Sequence, residues 1–302
     1  MTTLATGGVA NLDNRMALSG SAIYWTDAND GSNATGYVRR VSTTGGDASV
    51  LSSGKGPYTG IAVDAGNAFW TGFGSGTILT VSIAGGTPTT LAAGPFEPYR
   101  LAERDGEVYW TDLMEQSVMM VAKTGGKPTL LAKLGSGLSP HGIAVDDASV
   151  YWAASNTPCS VGTAGCVVPP HTGRIMKAAR GGGPAITLAE DQAAPSSITL
   201  DADNAYWLNY VGGEVMKVSK SGGSPVMLAS GQKGPTDIAV DASSVYWGVT
   251  ESGAVLKVPL GGGTPETLAS KQTPASIVVD GTSVYWLNAL APHDAVMRLT
   301  PK

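Results

Sequence analysis

Apolar residues in this chain come in short runs, a few residues long, separated by clusters of Gly, Pro, Asp, Asn and Ser. The stretch 234–269 is typical. Ile238-Ala-Val240 follows Pro235 and ends at Asp241. Val245-Tyr-Trp247 follows two serines, Val255-Leu-Lys-Val258 follows Gly253, and Glu266-Thr-Leu-Ala269 follows the cluster Gly261-Gly-Gly263. Runs of this length, bounded by turn residues, read as β-strands, and near-continuous apolar strands belong to sheets covered on both faces. The expected strands are 237–240, 245–248, 255–259 and 266–269. Asp241 opens the first hairpin, where its side chain can bond the backbone two residues on. Paired glycines supply the positive φ of the last tight turn. No stretch holds apolar residues at i, i+3 and i+4 over a dozen positions, so helices are not expected.

The four-strand pattern recurs. Its clearest marker is a tryptophan in the second strand: Trp25, Trp70, Trp110, Trp152, Trp207, Trp247 and Trp286. Their steps are 45, 40, 42, 55, 40 and 39 residues. The first strand reads Ile61-Ala-Val-Asp64, Ile143-Ala-Val-Asp146, Ile198-Thr-Leu-Asp201 and Ile277-Val-Val-Asp280; Met16-Ala-Leu-Ser19 and Leu101-Ala-Glu-Arg104 depart from it. A period near 40 with four strands per unit predicts a β-propeller, here of seven blades in one domain spanning 1–302. Six glycine turns serve seven tryptophans, so the last blade lacks its outer strand. Thr2-Thr3-Leu4-Ala5 copies Thr89-Thr90-Leu91-Ala92. Residues 2–5 are therefore expected to complete blade seven and remove the open seam. Seven tryptophans at one repeat position read as core rather than as a ligand cage.

Composition agrees and narrows the partners. Charged residues are 14%, and there are 41 glycines in 302 residues, which suits short strands and tight turns. The net charge of −5 argues against nucleic acid, which needs a basic face. No run of 18 apolar residues is present, so membrane insertion is not expected. Cys159 and Cys166 share one polar loop, whereas free cysteines favour burial; a disulfide is expected. That implies an exported protein, secreted or periplasmic, with its leader outside this chain.

Tyr24-Trp-Thr-Asp27 and Tyr109-Trp-Thr-Asp112 resemble the repeats of YWTD propellers, found in lipoprotein-receptor ectodomains. The proline ahead of an Ile-Ala-Val-Asp strand also resembles the NHL repeat. YWTD domains have six blades, and their motif is intact here in two of seven units, so the resemblance implies the repeat and not a receptor role. The seven-bladed layout is similar to the virginiamycin B lyase family, which implies a working end of the disc with a histidine, a glutamate and a metal ion. No residue of that site corresponds to one here.

Chemistry is expected where the loops entering each blade meet the loops between strands two and three. Counting back from each tryptophan places Arg15, Gly60, Arg100, Gly142, Ser197, Asp237 and Ser276 in a ring at the channel mouth. One step earlier stand Asn14, Thr59, Tyr99, His141, Ser196, Thr236 and Ala275. All three histidines, His141, His171 and His293, fall on this face. Expected ligand contacts are Arg15, Tyr99, Arg100, His141, His171, Asp237 and His293, with His141 the candidate base. Asp237, Glu97 or Asp112 could orient it, and the arginines could fork onto a carboxylate or phosphate. Alternatively Arg100 and Asp237 form ion pairs stapling adjacent blades. No cofactor is expected, with a divalent metal left open: the ring offers one carboxylate, Asp237, and one amide, Asn14, against about six oxygens for a hard cation. The long insertion 153–173 in blade four reads as a shaped rim, and the stretch 28–36 as a loop. The resulting expectation is an exported propeller binding a small molecule, glycan or peptide. The alternative is a small-molecule lyase or hydrolase using His141 and an arginine clamp.

Overall fold

The computed structural model describes residues 1–7, 12–27, 35–94, 96–135, 137–156, 171–289 and 294–302. Cys159, Cys166 and His293 lie outside the described residues. The strands form seven four-stranded antiparallel sheets arranged in a ring. The innermost strands are Met16–Ser19, Tyr58–Val63, Pro98–Arg104, Ser139–Val145, Pro195–Leu200, Pro235–Val240 and Pro274–Val279. In blades one to six the four strands follow in chain order. Blade seven adds Val284–Asn288 and Ala295–Leu299 and takes Thr2–Thr6 as its outer strand. Thr2 pairs with Arg298 and Thr3 with Met297. Leu4 is buried among Met16, Trp25, Leu287 and Val296, so this strand also fills the core between blades seven and one.

Strand boundaries differ slightly from expectation. The first strand of blade six starts at Pro235, two residues early, and the second covers Ser244–Val249. Proline fits a strand's first position, where its missing N–H breaks no ladder bond. Between Pro235 and Ile238 the register slips by one residue, and the same bulge recurs at Tyr58/Ile61, Pro98/Leu101, Pro140/Ile143 and Pro195/Ile198. A bulge re-aims the side chains it contains. The ring residues Gly60, Arg100, Gly142, Ser197 and Asp237 all sit in these bulges.

All seven tryptophans are fully buried between sheets. Trp247, for example, packs on Tyr206 and Leu208 of the preceding blade. Each indole removes about 200 Å² from water, and its truncation to Ala costs about 3–5 kcal/mol. The indole N–H groups are satisfied unevenly. Trp207 donates to Gln192 and Asn209, both at 3.1 Å, and Trp286 to Gln272 and Asn288, also at 3.1 Å. Trp247 donates to Gln232 at 3.1 Å. The Nε1 atoms of Trp110 and Trp152 have no hydrogen-bond partner among the described residues.

At the opposite end of the disc the hairpin aspartates form the predicted turns and more. Asp241 Oδ1 accepts the amides of Ser243 (2.7 Å) and Ser244 (2.9 Å), while Oδ2 accepts the Tyr246 hydroxyl at 2.9 Å and faces Lys302. Asp146 repeats this with Tyr151, and Lys220 of the next blade pairs with it at 3.0 Å. Burial alone would raise the Asp241 carboxyl, but Lys302 and the turn amides outweigh it and hold it well below the usual carboxylate range.

Candidate functional site

Inner-strand residues of all seven blades enclose a central cavity of about 190 Å³. Six of the seven predicted ring residues line it: Arg15, Gly60, Arg100, Gly142, Ser197 and Asp237. Two slots are glycine because the next blade passes close behind them. A Cβ on Gly142 would lie 2.6 Å from the Ser196 carbonyl oxygen, and one on Gly60 would lie 3.0 Å from the Tyr99 oxygen. Blade packing thus leaves the large polar groups to blades one, three and six.

Neighbouring blades hold the functional backbone in place. Thr59 of blade two donates to the Tyr99 carbonyl at 2.8 Å, and Thr111 of blade three donates to the His141 carbonyl at 2.9 Å. Asp237 is a hub. Its Oδ1 accepts Ser197 of blade five at 2.7 Å; its Oδ2 accepts Ser276 (2.6 Å) and the Ile277 amide (3.0 Å) of blade seven. Arg15 of blade one stands 3.9 Å from Asp237 and donates to the carbonyls of Leu12, Asn14 and Ala275. Arg100 and Asp237 both form ion pairs, but between blades that are not adjacent: Asp237 pairs with Arg15, reaching across blade seven.

Arg100 pairs instead with Asp13, a residue the sequence reading did not single out. Arg100 Nη2 lies 3.6 Å from Asp13 Oδ1, and Nη1 donates to the Asp13 carbonyl at 3.0 Å. The guanidinium lies over the Tyr99 ring, 3.9 Å from its centroid, and Nη2 donates to the Tyr99 hydroxyl at 2.9 Å. That hydroxyl donates to Asp13 Oδ1 at 2.6 Å. Burial pushes the Tyr99 phenol up to about 12, so it stays a neutral donor. Burial first, and the nearby Arg15 second, lower Arg100 below its ordinary value. Asp13 stands two positions ahead of the ring slot, in the segment leading into blade one; its polarity was the only signal available.

The ring of His141 meets Tyr99 edge-on, with centroids 6.2 Å apart. Burial, then the Arg100 charge, lowers its pKa to about 4. The imidazole is neutral at pH 7. His171 lies elsewhere. It is exposed, its Nδ1 is 3.0 Å from the Asp191 carbonyl oxygen, and it borders a separate groove of about 310 Å³ with Leu138, Asn156, Arg174 and Glu190. Of the other suggested partners for His141, Asp112 is fully buried and accepts the Glu115 amide at 2.9 Å.

The channel mouth offers a cation few open oxygens among the described residues. Both Asp237 oxygens already accept hydrogen bonds, and two guanidiniums share the cavity. Among the described residues, no group of three or more His, Cys, Asp and Glu side chains is placed to hold a metal ion.

No protein-family model and no curated protein sequence matches this chain. Its structure is similar to that of virginiamycin B lyase from Staphylococcus aureus, with a TM-score of 0.76 and 14% identity over 97% of each chain. It is also similar to a streptogramin B lyase (TM-score 0.76, 15% identity, 100% of this chain and 96% of that one). A third likeness is to YCF48 bound to D1 peptide (TM-score 0.69, 11% identity, 100% and 96%). At these identities the likeness is one of fold: a seven-bladed propeller of a kind used by both ligand-binding proteins and enzymes.

Proposed function

We propose that this protein binds an anionic small molecule, glycan or peptide at the channel mouth, on the face that carries Tyr99, Arg100 and His141. One observation carries the reading. Arg15 and Arg100, from separate blades, enter the same cavity although their ring neighbours are Gly, Ser and Asp. Two guanidiniums at one cavity, facing Asp237 and Asp13, favour negative groups there, and arginine grips carboxylates and phosphates with a fork that lysine lacks. Tyr99 stands outside the cavity lining and supports Arg100, whose guanidinium lies over its ring and donates to its hydroxyl. The likeness to a propeller bound to a peptide supports a peptide among the candidate ligands. Export belongs to the same proposal; intact-mass measurement before and after reduction tests the Cys159–Cys166 bond on which it rests.

The test is a calorimetric panel of dicarboxylates, uronic acids and peptides with a free C-terminus. Binders should lose at least about tenfold in affinity with Arg100→Gln, the loss of one charge-assisted contact. Unchanged affinity when both Arg15 and Arg100 are replaced by Gln would sink the proposal.

The second reading is a lyase or hydrolase with His141 as base, favoured by the imidazole lying beside Tyr99 and by the fold shared with two lyases. Its weakness is basicity. An imidazole with a pKa near 4 is neutral at pH 7 but a weak base, and general-base catalysis works best with a pKa near the operating pH. Turnover lost with binding retained in His141→Ala would reverse this ranking.

A further inference from the structure

We infer that Tyr99 and Arg100 form a carboxylate-binding subsite now filled by Asp13 of the same chain, and that a ligand carboxylate enters by displacing it. The inference rests on reading the channel mouth as a binding face. Three features carry it. First, two donors converge on one oxygen: Asp13 Oδ1 accepts the Tyr99 hydroxyl at 2.6 Å and lies 3.6 Å from Arg100 Nη2. Second, the receptor half is rigid. Arg100 is stacked on Tyr99 and bonded to its hydroxyl, Tyr99 itself meets Phe73 and His141 edge-on, and its carbonyl is held by Thr59. Donors fixed in advance lose little freedom when a ligand arrives.

Third, the occupant's side chain is the more exposed half. The side chain of Asp13 is 27% exposed against 9% for Arg100, so solvent reaches the pair from the Asp13 side. Asp13 belongs to no strand; it lies between the outer strand Thr2–Thr6 of blade seven and the inner strand Met16–Ser19 of blade one. Moving it breaks no sheet ladder. An incoming carboxylate replaces one negative charge with another, so the two arginines stay compensated and Asp13 returns to water.

A tethered competitor acts at an effective concentration of about millimolar or more, which weakens every free carboxylate in the wild type. Acetate is the probe. It is titrated into wild type, Asp13→Ala and Asp13→Ala/Arg100→Gln at constant ionic strength with chloride as the balancing anion, read by calorimetry and thermal unfolding. Acetate should bind Asp13→Ala at least about tenfold more tightly than wild type, and the gain should vanish in the double variant. If Asp13→Ala does not fold, Asp13→Asn keeps the size without the charge and should show a smaller gain of the same sign. The subsite is overturned if acetate stabilises the single variants no more than chloride, or if the double variant keeps the gain. The two readings separate cleanly. A panel compound that needs Arg15 yet binds wild type and Asp13→Ala equally removes the subsite and keeps the binding face. Acetate binding to Asp13→Ala alone, with no panel compound bound by the wild type, keeps the subsite and removes the proposed function.

Discussion

Blades five to seven and blades three to four use the same repeat but treat the same buried indole differently. In the first group a glutamine 14 or 15 residues before each tryptophan accepts its N–H: Gln192, Gln232 and Gln272. In the second, Phe96 and Leu138 stand 14 residues before Trp110 and Trp152. Phe96 meets Trp110 edge-on at 6.0 Å, and Leu138 packs in the cluster around Trp152. The polar half repeats at 40 and 39 residues, whereas the step across blade four is 55. Tyr99, Arg100 and His141 all belong to blades three and four. Blades three and four thus add an aromatic ring and an imidazole beside Arg100, whereas blade six supplies the carboxylate Asp237 and blade one the second arginine, Arg15. Departure from the indole–glutamine rule and the Tyr99–His141 contact fall in the same two blades, where local consistency of the repeat is relaxed.

Substituting the indoles tests this division most strongly. Trp207→Phe removes ring volume and leaves the Asn209 carbonyl oxygen without its donor; about 3 kcal/mol should be lost. Trp110→Phe loses the same volume but removes an N–H that has no protein acceptor among the described residues, so it should cost about 1–2 kcal/mol less. Urea midpoints at pH 7 measure both. Equal losses would mean that the glutamine network adds nothing and that the two halves differ only in sequence.

The aspartates at the far end give a smaller contrast. Asp146, Asp201, Asp241 and Asp280 all have lowered carboxyls, because Lys220 at Asp146, Lys302 at Asp241, turn amides at all four and tyrosine hydroxyls at Asp146, Asp201 and Asp280 outweigh the opposing effect of burial. A lowered folded pKa contributes stability above the ordinary carboxylate value near 4 and loses it as pH falls through the folded value. Asp241→Asn should therefore cost about 1–2 kcal/mol at pH 7, and the cost should shrink steadily below pH 4. Blade one has Ser19 in this position, and Ser19→Ala should show no such pH dependence. A pH-independent cost for Asp241→Asn would place its value in packing rather than charge.

The ring of sheets was legible because it rests on period, turn residues and apolar runs, all of which are local. Counting back from each tryptophan also located the channel ring, since the bulge falls at one fixed offset in blades two to six. Pairings were not legible. Arg100 finds Asp13, 87 residues away in sequence, and Arg15 finds Asp237 across an intervening blade. Such contacts depend on how the inner strands of seven blades aim their side chains into one channel, which no single repeat encodes. His171 shows the converse: loop position put it on the same face as His141, but loop position does not set radius, and it lies in its own groove.

The smallest expected effect concerns His141 itself. A histidine whose folded pKa falls from about 6.5 to about 4 is kept neutral by the folded state. Its contribution is complete above the unfolded value, declines as pH drops below 6.5, and is exhausted near 4. The whole shift would correspond to about 3 kcal/mol by linkage, but His141 is only half-buried, and solvent screening reduces this to about 1 kcal/mol. His141→Gln stays neutral throughout and should flatten stability between pH 6.5 and 4, leaving intact the acid loss below pH 4 that the aspartates cause. A histidine of ordinary pKa would show no difference between wild type and variant in that window. It would then be a plausible base at neutral pH, and the balance between blades three and four as binding face and as reaction centre would tip toward reaction.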